Sequence, residues 1–137
     1  MHKSLIAFVF LLLTGCGASS INQLHEQGIQ SVNEVPVNYQ AAFRNLRQQL
    51  DKCVGLDGRV LTRGKIDNQL YTDIQEGHFT WVMTNAFSSS SPMIDVRIKS
   101  IDSDKSSLTI TTQNRMQMNA WHDKFVSWAS GDFVPCR

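Results

Sequence analysis

The sequence predicts an α+β domain, a two-layer fold in which an antiparallel sheet of four to five strands carries two helices packed on one face. Three observations predict it. Apolar residues recur at helical spacing between Tyr39 and Cys53, then alternate with polar ones between Gly58 and Thr112, then return to helical spacing between Met118 and Trp128. A sheet with one apolar face needs a covering layer, and two amphipathic helices supply it in the order α-β-β-β-β-β-α.

The first helix is the clearest element. Val35-Pro36-Val37 is extended, because a residue before proline avoids the helical region. Asn38 is a good N-cap, and Tyr39, Phe43, Leu46, Leu50 and Cys53 then fall on one stripe. Arg44, Arg47, Gln48, Asp51 and Lys52 fill the opposite side, and Gly55 supplies a stop. Cys53 therefore points inward from the last turn of a helix over 38–53.

Period two follows. Gly58 to Arg63 and Gln69 to Ile74 are short strand candidates joined through a turn-like Gly64-Lys65, and His78 to Phe87 is a longer one. Ser88 to Pro92 reads as a loop. Ile94, Val96 and Ile98 alternate with Asp95, Arg97 and Lys99, the pattern of a half-buried antiparallel strand. Asp102 to Lys105 turns the chain, and Leu108, Ile110 and Thr112 alternate with Thr109 and Thr111. The closing helix takes its cap from Asn114 or Asn119. It carries Met118, Trp121, Phe125 and Trp128 on one stripe and stops at Gly131. The tail then brings Cys136 back towards the first helix.

Ahead of this domain lies a different kind of segment. Leu5 to Leu13 is an unbroken apolar run behind Met1-His2-Lys3, the length of a signal-peptide core and too short to span a bilayer. It leads directly into Leu13-Thr14-Gly15-Cys16, which resembles the lipobox of bacterial lipoproteins at every position. The resemblance implies cleavage after Gly15, a diacylglycerol thioether on Cys16 and acylation of the new amine, for instance by palmitate. Two or three chains anchor a protein stably where one does not. Gly17, standing where an Asp would resemble an inner-membrane retention signal, points to the outer membrane. The expected organisation is a lipoprotein signal peptide over 1–15, a lipidated N-terminus and polar tether over 16–34, and a globular α+β domain over 35–137. His25 falls in the tether and reads as solvated.

A weaker resemblance covers about twenty residues of the body. Val35-Pro36-Val37-Asn38-Tyr39-Gln40, leading into Phe43-Arg44-Asn45-Leu46 and Cys53, is similar to small, uncharacterised proteobacterial envelope lipoproteins. That resemblance brings no activity with it.

Lipid on Cys16 leaves Cys53 and Cys136 as an even pair in an oxidising compartment, which predicts a disulfide. The alternative is two buried free thiols. Composition bounds the rest. Without its signal the chain keeps about 120 residues, enough for one domain. The 13 basic and 12 acidic residues become balanced once Lys3 is removed. Near neutrality argues against a nucleic-acid partner, which calls for a basic stripe. The expected partners are the membrane, through the N-terminal lipid, and an envelope protein.

No catalytic constellation, metal ligand set or cofactor motif emerges from the spacing of the polar residues. In His122-Asp123, neighbours on a helix do not face each other, so the pair reads as helix surface. His78, with Glu76 nearby, reads as an edge-strand histidine. Ser88–Ser91 lacks a G-x-S-x-G elbow, and Gly55-Leu56-Asp57-Gly58 and Gly64-Lys65 lack the spacing of a phosphate cradle. Two candidates remain. Arg97, Lys99, Thr109 and Thr111 form a candidate docking face on the wet side of the sheet, and Trp121, Phe125 and Trp128 line a candidate pocket or simply fill the core. The expected function is accordingly a lipid-anchored, non-enzymatic interaction or assembly module of the cell envelope. The alternative is a small-ligand or lipid carrier with its pocket between sheet and Trp-rich helix, and an envelope hydrolase ranks behind both.

Overall fold

A computed structural model describes residues 18–53, 63–84 and 90–136. Along them run α1 (Ile21–Gln27), β1 (Ile29–Val35), α2 (Tyr39–Cys53), β2 (Arg63–Tyr71), β3 (Glu76–Thr84), β4 (Ser90–Ser100), β5 (Ser106–Thr112) and α3 (Arg115–Ser130). The strands form one sheet in the order β1-β5-β4-β3-β2, and every neighbouring pair is antiparallel. The fold is α+β as expected, with α2 and α3 together on one face.

Two departures change the N-terminal half. Residues 21–34 of the expected tether are folded into the domain. Ser20 Oγ accepts from the Gln23 N–H and starts α1, and β1 pairs along its whole length with β5 as an edge strand. The five expected strands are also redistributed. Gly64-Lys65 lies inside β2, and the turn falls instead at 72–75, overlapping the end of the stretch Gln69 to Ile74 that reads as a strand from sequence. Ser90 to Pro92, read as loop, opens β4. Residues 58–62 and 85–89, parts of two expected strands and a loop, lie outside the described residues, as do Gly55 and Cys16.

Gly64 shows why a strand glycine misleads. A Cβ built there would stand 2.5 Å from Trp81 Nε1, so the glycine admits the indole across β2 instead of turning the chain. Pro92 is tolerated in β4 for a related reason. The β3–β4 register shifts between Trp81 and Val82, and β5 pairs only from Ile94 onward, so Pro92 removes no ladder bond to β5.

Both long helices begin where the sequence predicts. Asn38 Oδ1 accepts from the Ala41 N–H at 2.9 Å, and Asn114 Oδ1 accepts from the Gln117 N–H at 3.0 Å. Gly131 ends α3 in the left-handed region at φ 96°. The α2 stripe buries Tyr39, Ala42, Phe43, Leu46 and Leu50 against Phe79, Val96 and Ile98 from the sheet. Each fully buried aliphatic side chain there contributes roughly 1.5–3 kcal/mol. Phe43 packs on Phe79 in a tilted pair with ring centroids 4.6 Å apart and lies over Gly77, where a Cβ would come within 2.6 Å of its ring.

Cys53 and Cys136 form a disulfide with Cα atoms 5.4 Å apart, joining the end of α2 to the chain's tail. Trp128 Nε1 donates to the Val134 carbonyl and Lys124 Nζ to the Cys136 carbonyl, which fold that tail back along α3. On the chain-entropy view, closing a loop of 83 residues stabilises by about 4–5 kcal/mol.

Candidate functional site

The two faces of the sheet differ in chemistry. The face away from α2 and α3 carries three cross-strand rows, set by the strand registers. Gln30, Thr111, Asp95, Thr80 and Asp67 make the first row. Val32, Thr109, Arg97, His78 and Gln69 make the second, and Glu34, Ser107, Lys99, Glu76 and Tyr71 the third. All four residues of the candidate docking face, Arg97, Lys99, Thr109 and Thr111, belong to these rows.

They are not equally available. The short helix α1 lies across the first row, buries Leu24 completely and covers Thr111, which has no exposed surface. Thr111 is therefore excluded from the accessible face. Among the described residues its Oγ1 finds no hydrogen-bond partner, an uncompensated cost of the order of 1–3 kcal/mol. Thr109 is half-buried, Arg97 is partly exposed and Lys99 is open to solvent.

Beneath α1 sits a buried carboxylate. Asp95 Oδ1 accepts from Thr80 Oγ1 at 2.8 Å, and Oδ2 accepts from His25 Nε2 at 2.7 Å and Arg97 Nε at 3.2 Å. Three donors on one acid offset the cost of taking it out of water. Gln30 Nε2 approaches His25 Nδ1 at 3.4 Å, a pattern that assigns the ring hydrogen to Nε2 and leaves Nδ1 as acceptor. Arg97 Nη2 also lies 3.0 Å from His25 Nε2, but a nitrogen that donates to Asp95 does not accept there. The pair has the outline of a catalytic dyad without its nucleophile, since the Thr80 hydroxyl donates to the acid and not to the imidazole. Its work is to hold α1 on the sheet. His25, read from the sequence as solvated, is the residue that reasoning missed. No periodic signal marks a histidine whose partner lies 70 residues away.

The rest of the wet face is a field of compensated charges. Glu76 is shared by His78 Nε2 and Lys99 Nζ, each at 3.2 Å. The hydrogen bond from His78, helped by Lys99, holds the Glu76 carboxyl below its ordinary value against a smaller opposing effect of burial. Glu34 and Lys105 pair at 2.7 Å, which raises the Lys105 ammonium above its usual range. Among the described residues no group of three or more His, Cys, Asp or Glu is placed to hold a metal ion.

The aromatic residues of α3 are a filled layer. Trp121 stacks on Phe125 at 5.5 Å, Phe125 meets Trp128 at 5.9 Å, and Trp81 from β3 closes on Trp121 at 5.2 Å. The void between this layer and the sheet, lined by Leu50, Ile66, Phe79, Trp81, Ile94, Val96 and Phe125, measures about 10 Å³. That is far below the roughly 300 Å³ at which small-molecule sites begin. Among the described residues, Phe125 and Trp128 are core, with Trp121 packed against them, and this void is no ligand-sized pocket. His122, also on α3, is engaged on both sides, with Nδ1 2.8 Å from Asp123 Oδ1 and Nε2 3.1 Å from Asn33 Oδ1. Asp123 thus does reach its neighbour's ring, although helical geometry points the two side chains apart.

A search against protein-family models finds no match, and neither does a search of curated proteins. The functional reading therefore rests on the residues themselves.

Proposed function

We propose that this chain is a lipid-anchored protein of the bacterial cell envelope. In this reading Cys16 holds it at the outer membrane, facing the periplasm, and its domain acts as a non-enzymatic interaction or assembly module. The observation that carries the reading is Leu13-Thr14-Gly15-Cys16 at the end of a signal-like apolar run. The Cys53–Cys136 disulfide supports it, because such bonds persist in oxidising compartments and are rare in the cytosol.

The start of α1 at Ile21 adds a geometric consequence. Residues 17–20 reach at most about 14 Å when extended, so an anchor on Cys16 keeps α1 and the sheet face beneath it close to the membrane surface. The second and third rows of that face, with Arg97, Lys99 and Thr109, present paired charges and hydroxyls. Such groups suit recognition of a polar partner more than bond-breaking chemistry. The carrier alternative needs room between the sheet and the Trp-rich helix, and the void of about 10 Å³ there speaks against it.

The test is a crosslinking screen in intact cells with photo-reactive residues at Lys99 and Thr109. The reading expects discrete adducts with envelope proteins that vanish in Cys16→Ser. Adducts identical in the two forms, or none in either, would contradict it.

A further inference from the structure

A wide cleft lies at the opposite end of the sheet from α1. It measures about 470 Å³ and opens between the first turn of α2, the β2–β3 turn and the β4–β5 turn. Asn38, Tyr39, Gln40, Gln75, Ser100 and Asp102 line it, with Ile101 and Ser103 completing the wall. Its volume falls inside the roughly 300–1,000 Å³ of small-molecule sites.

One backbone feature sets this cleft apart from an ordinary gap between turns. Gln75 has φ 55°, and among the described residues it is the sole non-glycine residue with a positive φ. Its carbonyl accepts from the Ser100 N–H at 3.1 Å, which ties the β2–β3 turn to the end of β4. The turn requires only the left-handed backbone, which glycine adopts freely and a side-chain-bearing residue adopts under strain. The chain keeps a long amide at the position where glycine fits best, on the wall of this cleft. Strain held at such a place points towards function.

The lining selects the ligand. No Lys, Arg or His contributes to it, so a phosphate or carboxylate finds no counter-charge there. Asp102 is its one ionised group, and Oδ1 of that residue already accepts from the Asp104 N–H at 2.8 Å. Gln40 and Gln75 carry primary amides, each both donor and acceptor, Asn38 keeps its amide donors while its Oδ1 caps α2, and Ser100 and Ser103 carry hydroxyls. Such groups match the vicinal hydroxyls of a sugar, which also donate and accept. Ile101, half exposed at 51 %, offers an apolar surface to the C–H face of a pyranose ring. We propose that this cleft is a binding site for a neutral, polyhydroxylated ligand, a saccharide free or within a glycan polymer. The site does not depend on the anchor, since its chemistry is the same whether or not Cys16 carries lipid.

The experiment titrates the ¹⁵N-labelled full chain in detergent micelles with the N-acetylglucosamine trimer, with cellotriose and, as a control, with inorganic phosphate. A parallel arm measures co-sedimentation with purified cell-wall glycan. The proposal expects amide shifts centred on Gln40, Gln75 and Ser100 to Ser103 with a saccharide and not with phosphate. Gln75→Gly is the decisive variant. It relieves the backbone, so its melting temperature is expected to hold or rise while saccharide affinity falls roughly tenfold or more. Gln40→Ala, at an exposed position of the first turn, provides a second loss of affinity independent of the turn. Saturation by a soluble trisaccharide identifies a free sugar as sufficient. Co-sedimentation that Gln75→Gly abolishes, without response to the trisaccharides, identifies a polymer. Silence in both arms up to about 10 mM saccharide, or binding that both variants leave unchanged, overturns the proposal.

Discussion

His25 Nε2 lies 2.7 Å from Asp95 Oδ2, so a seven-residue helix near the N-terminus is fastened to the middle of the sheet through one buried carboxylate. Leu24 is the single residue that α1 buries fully, and the surface beneath it is polar. That hydrogen bond therefore carries a large share of the attachment. Asp95→Ala strands three donors and is expected to cost about 3–5 kcal/mol in chemical denaturation. A loss below about 1 kcal/mol would show the cluster to be dispensable. His25→Ala is expected to speed hydrogen exchange in α1 while leaving α2 and α3 protected, because the polar sheet face tolerates water.

The disulfide closes most of the domain into one loop. Replacing Cys53 and Cys136 together by Ser is expected to lower stability by about 4 kcal/mol, read as an earlier urea midpoint at an unchanged baseline fold. An unchanged midpoint would mean that the non-covalent contacts of the tail, those of Trp128 and Lys124 among them, hold it without the bond.

Gly77 is required for packing, not for backbone freedom. A Cβ there meets Phe43 Cδ2 at 2.6 Å, so Gly77→Ala is expected to cost about 1–3 kcal/mol. Phe43→Leu in that background is expected to cost less than Phe43→Leu alone, a coupling that a double-mutant cycle measures.

Glu76 makes stability depend on acid. Its carboxyl sits below the ordinary 4.5 in the folded state, chiefly through His78. A depressed folded value means that the stabilisation is fully present above the unfolded value and drains away as pH falls through the folded one. Acidification from pH about 6 to about 3 is therefore expected to lower the melting temperature more in the native chain than in Glu76→Gln. Equal slopes would remove Glu76 from the account.

Those residues also show what the sequence can reveal. The α2 stripe, the Asn38 and Asn114 caps, Gly131 and the alternation of β4 and β5 were legible, because each is a local pattern that burial or capping imposes. β1 was not. Its core-facing positions are Ile29, Ser31, Asn33 and Val35, and the two in the middle are polar. Asn33 is satisfied by His122 from α3 and by Ser31, partners that no alternation reveals. α1 was hidden for the same reason, since a helix with one buried leucine has no stripe. β2 is hidden because Gly64 marks the approach of Trp81 rather than a turn. Of the candidate docking face, Arg97, Lys99 and Thr109 stay accessible, while Thr111 is lost under a helix that no sequence pattern announces.

The central claim, a lipid-anchored envelope module, is tested most directly by the intact mass of the protein extracted from bacterial membranes. The account predicts a chain that begins at Cys16, carries a diacylglycerol and an amide-linked acyl chain, and shifts by two hydrogens on reduction of Cys53–Cys136. A chain that retains residues 1–15, or one that is cleaved and carries no lipid, would contradict it.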